Sequence, residues 1–288
     1  MKITDILNQK NVTVSCELFP PKSESLLTDA KQVIREIADL KPSFMSVTYG
    51  AGGSTRENTV RIADEIQNVN DITALAHLTC VSSDKKEIKT VLDDLKTRNI
   101  TNILALRGDY PTDESVRKIG AYQYASQLTE AILEHGDFCV GGACYPEGHL
   151  ESSCMQEDIE HLKIKVDSGC AFLTTQMFFD NNIMYNFMFR LLKNGVDVPI
   201  IAGIMPVINA RQIDRICKLS GTTLPPRFRA IVDRFADNPA AMNQAGIAYA
   251  TEQIIDLIAN GVNHIHIYTM NKPDIARRIM NNLSEIFK

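Results

Sequence analysis

Glu17 lies inside an apolar run, Val12 to Phe19, between Cys16 and Leu18 and shortly before Pro20-Pro21, which end the run. A carboxyl held half-buried at such a place suits a general acid, or it is a salt-bridged structural Glu; spacing alone leaves both open. Arg107-Gly108-Asp109 closes another run, where Asp109 is either a turn residue paired with Arg107 or an anion set beside a ligand ring. Asp158, His161 and Lys165 are three and four residues apart and share one helix face. On that face a cation could meet a ligand phosphate while Asp158 takes hydroxyls; the alternative is a solvated surface. His77 and His149 are metal-ligating types, yet no carboxylate stands at a recognisable spacing from either, so no metal site is predicted. His264 and His266 alternate within one run, share a side and read as core or rim packing.

These residues need elements to hold them. Short apolar or β-branched runs recur at Val12 to Phe19, Phe44 to Gly50, Thr73 to Cys80, Asn102 to Arg107, Phe138 to Tyr145, Phe172 to Phe179, Ile200 to Met205 and His264 to Thr269. Each precedes a stretch with helical spacing, such as Leu27, Val33, Ile34, Ile37 and Leu40. Nearly continuous apolar strands separated by helices imply a parallel sheet covered on its outside. Eight such units without an obvious linker predict one domain over residues 1–288, an α/β fold of the (β/α)8 TIM-barrel type. An open doubly wound sheet usually has fewer strands. Thr-Leu-Pro-Pro and Asp-Asn-Pro punctuate short helical pieces across Ser220 to Asn243, which predicts an irregular insertion between strands seven and eight, ahead of a helix from Gln244 to Asn260. In a barrel, chemistry sits at the carboxyl ends of the strands. Here those ends carry Glu17, Thr48-Tyr49-Gly50, His77 with Thr79, Arg107-Gly108-Asp109, Tyr145 with Glu147 and His149, Gln176, and Tyr268 with Asn271. Gly141-Gly142 lies within the fifth run, where small residues admit another backbone or a flat ligand. No Gly-x-Gly-x-x-Gly or P-loop pattern is present.

Composition narrows the partner. With 30 basic against 35 acidic residues and a formal charge of -5, the chain is not built to grip nucleic acid or anionic lipid through bulk charge, and a small-molecule partner is expected. The first residues lack a charged segment leading into an apolar stretch, and no window approaches the roughly 18 apolar residues that span a bilayer, so a cytoplasmic location is expected. The seven cysteines include no Cys-x-x-Cys and no zinc-finger spacing, and most read as small buried residues.

Read together, the strand-end motifs resemble the bacterial 5,10-methylenetetrahydrofolate reductases. The resemblance rests on Cys-Glu17-Leu-Phe-Pro-Pro-Lys, Ser-Val-Thr48-Tyr-Gly, Ala-His77-Leu-Thr-Cys, Leu-Arg107-Gly-Asp109, Ala-Cys-Tyr145-Pro-Glu-Gly-His149, Thr-Gln176-Met-Phe-Phe-Asp, Gly203-Ile-Met-Pro-Val and Ile-Tyr268-Thr-Met-Asn, in order along nearly the whole chain. It is to the short form of the family, a catalytic barrel without the C-terminal S-adenosylmethionine-binding domain of eukaryotic members. The resemblance implies a bound FAD, NADH or NADPH as electron donor, and reduction of 5,10-methylenetetrahydrofolate to 5-methyltetrahydrofolate. By motif position it makes Glu17 the general acid, Asp109 a charge beside flavin and pterin, and Gln176 a pterin ligand. It places Thr48, His77, Arg107, Gly108, Asp109, Tyr145, His149, Asp158, His161 and Lys165 against FAD, with Tyr268 and Lys272 toward the substrate. Three positions depart from the family pattern: Ala210 where an aromatic residue is familiar, His161 for Asn, and Lys272 for Arg. Ala210 leaves open a variant in which a partner subunit supplies the electrons. A folate-binding barrel without redox activity is a third reading, and a homo-oligomer is compatible with all of them.

Overall fold

The protein is described here from a computed structural model covering residues 1–9, 12–21, 23–50, 56–81, 83–109 and 120–287. Every apolar run becomes a strand: β1 (Thr13–Leu18), β2 (Phe44–Val47), β3 (Ala74–Thr79), β4 (Asn102–Leu106), β5 (Cys139–Cys144), β6 (Phe172–Thr175), β7 (Ile200–Ile204) and β8 (His264–Tyr268). All neighbours are parallel, and β1 pairs with both β2 and β8, which closes the sheet into a barrel. The expected TIM barrel is therefore observed. Strands end earlier than their apolar runs, most clearly in β6, which stops at Thr175 rather than Phe179. Met177 and Phe179 leave the sheet to pack with Val207, Ile213, Phe228, Val232 and Met242 in a separate cluster.

Alternation along each strand decides what faces the barrel axis. Val14, Cys16 and Leu18 of β1, and Ile265 and Ile267 of β8, belong to the large outer core under the helices. That leaves Thr13, Ser15 and Glu17, and His264, His266 and Tyr268, on the inner side. Register sets Glu17 level with Ser46 and Tyr268, and Ser15 level with Phe44 and His266.

A short helix, α1 (Ile3–Gln9), closes the amino-terminal end of the barrel. Its Ile3, Ile6 and Leu7 pack against Phe44, Leu75, Leu104, Cys139, Phe172 and Ile201. The Ile3 amide donates to Asn102 Oδ1 at 2.9 Å, and Asn102 Nδ2 donates to Met1 O at 3.1 Å. Seven residues are too few for a helical period to stand out, and the sequence reading passes over this plug. The remaining helices are α2 (Leu27–Ala38), α3 (Arg56–Asp64), α4 (Lys85–Thr97), α5 (Ala125–His135), α6 (Met155–Asp167), α7 (Asn181–Lys193), α8 (Ala210–Ser220), α9 (Pro226–Phe235), α10 (Pro239–Ala259) and α11 (Pro273–Asn282).

The expected insertion between β7 and β8 is present, with α9 as a short helical piece inside it. Its long helix begins at Pro239, not Gln244, because Asn238 caps it, accepting from the Ala241 amide at 3.1 Å, with Pro239 suited to a first turn. The insertion also holds the segment after β6: Thr222 Oγ1 donates to Met177 O, Gln253 Nε2 to Phe178 O and Tyr249 OH to Phe179 O, at 3.1, 2.9 and 2.6 Å.

Gly141 and Gly142 make room for side chains of this chain rather than for a ligand or another backbone. The Phe172 ring fills the space beside Gly141, and the Lys165 stem, 2.7 Å from where a Cβ would stand, passes over Gly142.

Because Ile3 is fully buried in the plug, we expect Ile3→Ala to lower unfolding free energy by about 2–4 kcal/mol. Urea denaturation followed by circular dichroism would measure it; a loss under about 0.5 kcal/mol, the range of ordinary surface changes, would show that α1 does not seal the core.

Candidate active site

The centre of the barrel mouth is a carboxyl between two imidazoles. Glu17 is 7% exposed, and its Oε2 lies 3.7 Å from His77 Nε2 and 3.6 Å from His266 Nε2. Among the described residues these rings, rather than Lys or Arg, are the basic groups within 4 Å of it, and at such distances neither contact is a hydrogen bond. Burial pushes the His77 imidazole down to about 4, with Glu17 only partly opposing it, so the ring is uncharged near neutrality. His77 Nε2 is buried without a hydrogen-bond partner. His266, which sequence pattern reads as packing, is held by polar contacts: Nδ1 is 2.7 Å from Ser15 Oγ and Nε2 is 3.2 Å from Ser46 Oγ.

The other strand ends complete the mouth. Tyr268 OH donates to Thr175 O at 2.6 Å, and Gly203 permits this because a Cβ there would stand 2.5 Å from both atoms. Burial, reinforced by Glu17, raises the Tyr268 phenol well above its ordinary value. Gln176 follows β6, and its Oε1 accepts from the Met177 amide at 2.9 Å. Thr48 follows β2, tied through its carbonyl to Thr59 Oγ1 at 3.0 Å. Gly108 turns the chain at a φ of 83°, where a side chain would also meet Thr79, and so brings exposed Asp109 to the rim.

Beside this mouth a cleft of about 480 Å³ opens between the ends of β4 and β5 and the helices α5 and α6. Arg107, Tyr145, His149, Asp158, His161 and Lys165 all line it. The helix face carrying Asp158 and Lys165 is thus no solvated surface. Asp158 is buried; its Oδ1 accepts from Ser152 Oγ at 3.2 Å while Oδ2 has no partner. Such an orphaned acceptor fits a ligand hydroxyl. Burial raises the Asp158 carboxyl and lowers the Lys165 ammonium, whose Nζ donates to Ala143 O at 2.6 Å. His161 lies exposed at the lip. Tyr145 and His149 meet edge to face at 4.7 Å, and burial, helped by Asp109, pushes the Tyr145 phenol up to about 12.

Several cleft residues escape the sequence reading. Glu151 takes both terminal nitrogens of Arg107, Nη2 to Oε1 at 2.7 Å, and this pairing pulls the Glu151 carboxyl below its usual value. Its place two residues after His149 in the same loop was the available signal. Tyr124 and Ser152 also line the cleft. Lys272 stands apart from Gln176 and Tyr268, in a separate cavity of about 570 Å³ with Asn243, Arg277 and Arg278. Ala210 opens α8 and packs against the insertion cluster. Among the described residues, no group of three or more His, Cys, Asp or Glu could hold a metal ion, and no helix is long and apolar enough to cross a membrane.

The family profile described as Methylenetetrahydrofolate reductase matches residues 2–284. This chain belongs to the methylenetetrahydrofolate reductase family. It is 33% identical to the 5,10-methylenetetrahydrofolate reductase of Escherichia coli K12, covering 97% of this chain and 95% of that one. It is 34% identical to Methylenetetrahydrofolate reductase (NADH) 1 of Arabidopsis thaliana across 99% of its length, but spans only 50% of that plant relative. Among solved structures, an uncharacterized protein from Clostridium thermocellum, described as binding two copies of 5-methyl-5,6,7,8-tetrahydrofolic acid, superposes with a TM-score of 0.65. That alignment covers 99% of both chains at 14% identity, which speaks for the shared fold alone.

For this reductase-family barrel the buried His77 gives a pH test. Its native value of about 4 lies below the ordinary 6.5, so the unfolded chain takes up a proton first as pH falls. The contribution is complete above about 6.5 and is lost progressively toward about 4, amounting to up to about 3 kcal/mol. We expect the urea midpoint to fall between pH 7.5 and pH 5, and His77→Asn to flatten that fall. An unchanged slope in the variant would assign the effect to other groups.

Proposed function

We propose that this chain reduces 5,10-methylenetetrahydrofolate to 5-methyltetrahydrofolate, with FAD bound along the cleft and NADH or NADPH as the source of electrons. The observation that carries this reading is the Glu17 carboxyl, buried at the barrel mouth beside uncharged His77 and next to a cleft lined by opposite charges. Names of the plant relatives favour NADH as the donor.

The residues present fit FAD. Lys165 and Arg107 would face its diphosphate, the partnerless Asp158 Oδ2 would accept from a ribose hydroxyl, and Thr48, His77, Gly108, Tyr145 and His149 would hold the ring system. His161 would serve the adenosine end at the lip. When bound, FAD supplies the hydride through N5 of its reduced ring.

The chain's own groups do the rest. Opening the five-membered ring of the substrate requires a proton at the departing nitrogen, and Glu17 delivers it. The opened substrate carries an iminium cation, which the Asp109 carboxylate at the rim favours electrostatically. Gln176 and Tyr268 orient the folate at the mouth.

Two measurements test the reading. The purified protein should show a two-band visible flavin spectrum that NADH bleaches anaerobically, and Lys165→Met should retain much less flavin. A colourless protein that also fails to bind added FAD would overturn it; a flavin that bleaches with neither nucleotide would favour a partner subunit as donor. In stopped flow, Glu17→Gln should leave flavin reduction by the nucleotide within about twofold while slowing reoxidation by the folate about 10²–10⁴-fold. Full activity in both half-reactions would remove Glu17 from its role.

A further inference from the structure

A ring that merely packs needs no dedicated polar partners, and His266 has them on both nitrogens. It is 2% exposed, stacked on Phe44 with centroids 6.1 Å apart and edge-on to Tyr268 at 5.4 Å. Ser15 and Ser46, both fully buried, reach the ring from the neighbouring strands β1 and β2. Apolar residues would fill this space more cheaply, because buried hydroxyls cost free energy unless paired.

One arrangement of protons satisfies every partner. With Ser15 Oγ donating to Ile265 O at 3.1 Å, it accepts from His266 Nδ1, 2.7 Å away, and Nδ1 carries the hydrogen. In that arrangement Nε2 accepts from Ser46 Oγ at 3.2 Å, and Glu17 Oε2 lies 3.6 Å from the same nitrogen. With its lone pair taken by Ser46 the ring offers Glu17 no proton, and its edge, held by the two serines, forms a fixed polar wall against the carboxyl.

We infer that His266, locked by Ser15 and Ser46, is a positioning residue that sets the orientation of the Glu17 carboxyl. The inference rests on the proposed role of Glu17 as acid. His77, on the opposite side of the carboxyl, has no hydrogen-bond partner at Nε2 and lacks such a lock.

The test uses the full-length flavin-loaded protein and separates the two half-reactions. His266→Phe keeps the volume of the ring and removes both nitrogens. It should slow the folate half-reaction at saturating substrate at least about tenfold, with flavin reduction by nucleotide and the KM for folate within about twofold. His266→Gln, which can again offer a polar atom toward Glu17, should recover part of the loss. Placed on Glu17→Gln, His266→Phe should cost nothing further, because a residue acting through Glu17 has nothing left to act on. Equal losses in both half-reactions, or losses that multiply in the double variant, would overturn the inference. If His266→Phe does not fold, the Ser15→Ala/Ser46→Ala double variant removes the lock with less disturbance and should show the same selective loss; full activity there would also overturn it. Should Glu17→Gln itself keep the folate step, the acid assignment fails; a dead Glu17→Gln beside a fully active His266→Phe rejects the positioning role alone.

Discussion

A carboxyl at the axis of a closed barrel has nowhere to go, and the rest of this structure is organised around that constraint. Strand alternation forces Glu17 inward once Cys16 and Leu18 are committed to the outer core. Below it, α1 and six inward apolar side chains seal the barrel against water. Around it stand the uncharged His77, the His266 ring, the Ser46 hydroxyl and the Tyr268 ring. Burying an unpaired charge in such company costs several kcal/mol. In the proposed reaction a carboxyl so placed turns this cost into proton delivery. The bottom of the barrel supplies stability, and the polar layer above it supplies chemistry.

The cleft obeys a related logic with cations. Lys165 begins on the outside of the barrel, on α6, and reaches β5 only because Gly142 lacks a side chain. Its Nζ ends on a strand carbonyl, half-buried and depressed in basicity, on the helix face that also carries Asp158 with its partnerless oxygen. An arrangement so poorly satisfied within the protein itself is what a polar ligand with both anionic and hydroxyl groups would complete. Arg107 meanwhile lies against Glu151, so that the lip of the cleft has its charge balanced internally.

How much of this was legible in the sequence follows from which forces are local. Strand positions were readable because apolar runs survive without knowledge of their partners, and all eight lie where expected. Their ends were not, since pairing stops where the neighbour stops, as in β6. Asp158 and Lys165 were found by helical spacing, while Glu151, on a loop with no period, was not. His266 shows the sharpest gap. Its alternation with His264 identified the face, but its role depends on Ser15 and Ser46, more than 200 residues away in sequence and adjacent only across closed strands. Ser15 and Ser46 carry no signal of their own. The motif resemblance reached further than spacing, because it reports on residues that share a site regardless of their separation.

The insertion between β7 and β8 then acquires a reason. Once β6 ends at Thr175, the next carbonyls lose their ladder partners and must be satisfied elsewhere. Thr222, Gln253 and Tyr249 take Met177, Phe178 and Phe179 in succession, and Glu147 of the loop after β5 accepts from the Thr223 amide at 2.9 Å. Gly246 lets α10 approach the Val207 backbone closely enough to set this grip. The residue immediately before the gripped segment is Gln176. Its position over the barrel mouth is thus defined from below by β6 and from the side by three insertion side chains. A loop held at three consecutive carbonyls behaves as a rigid element, which is what a side chain meant to orient a ligand requires.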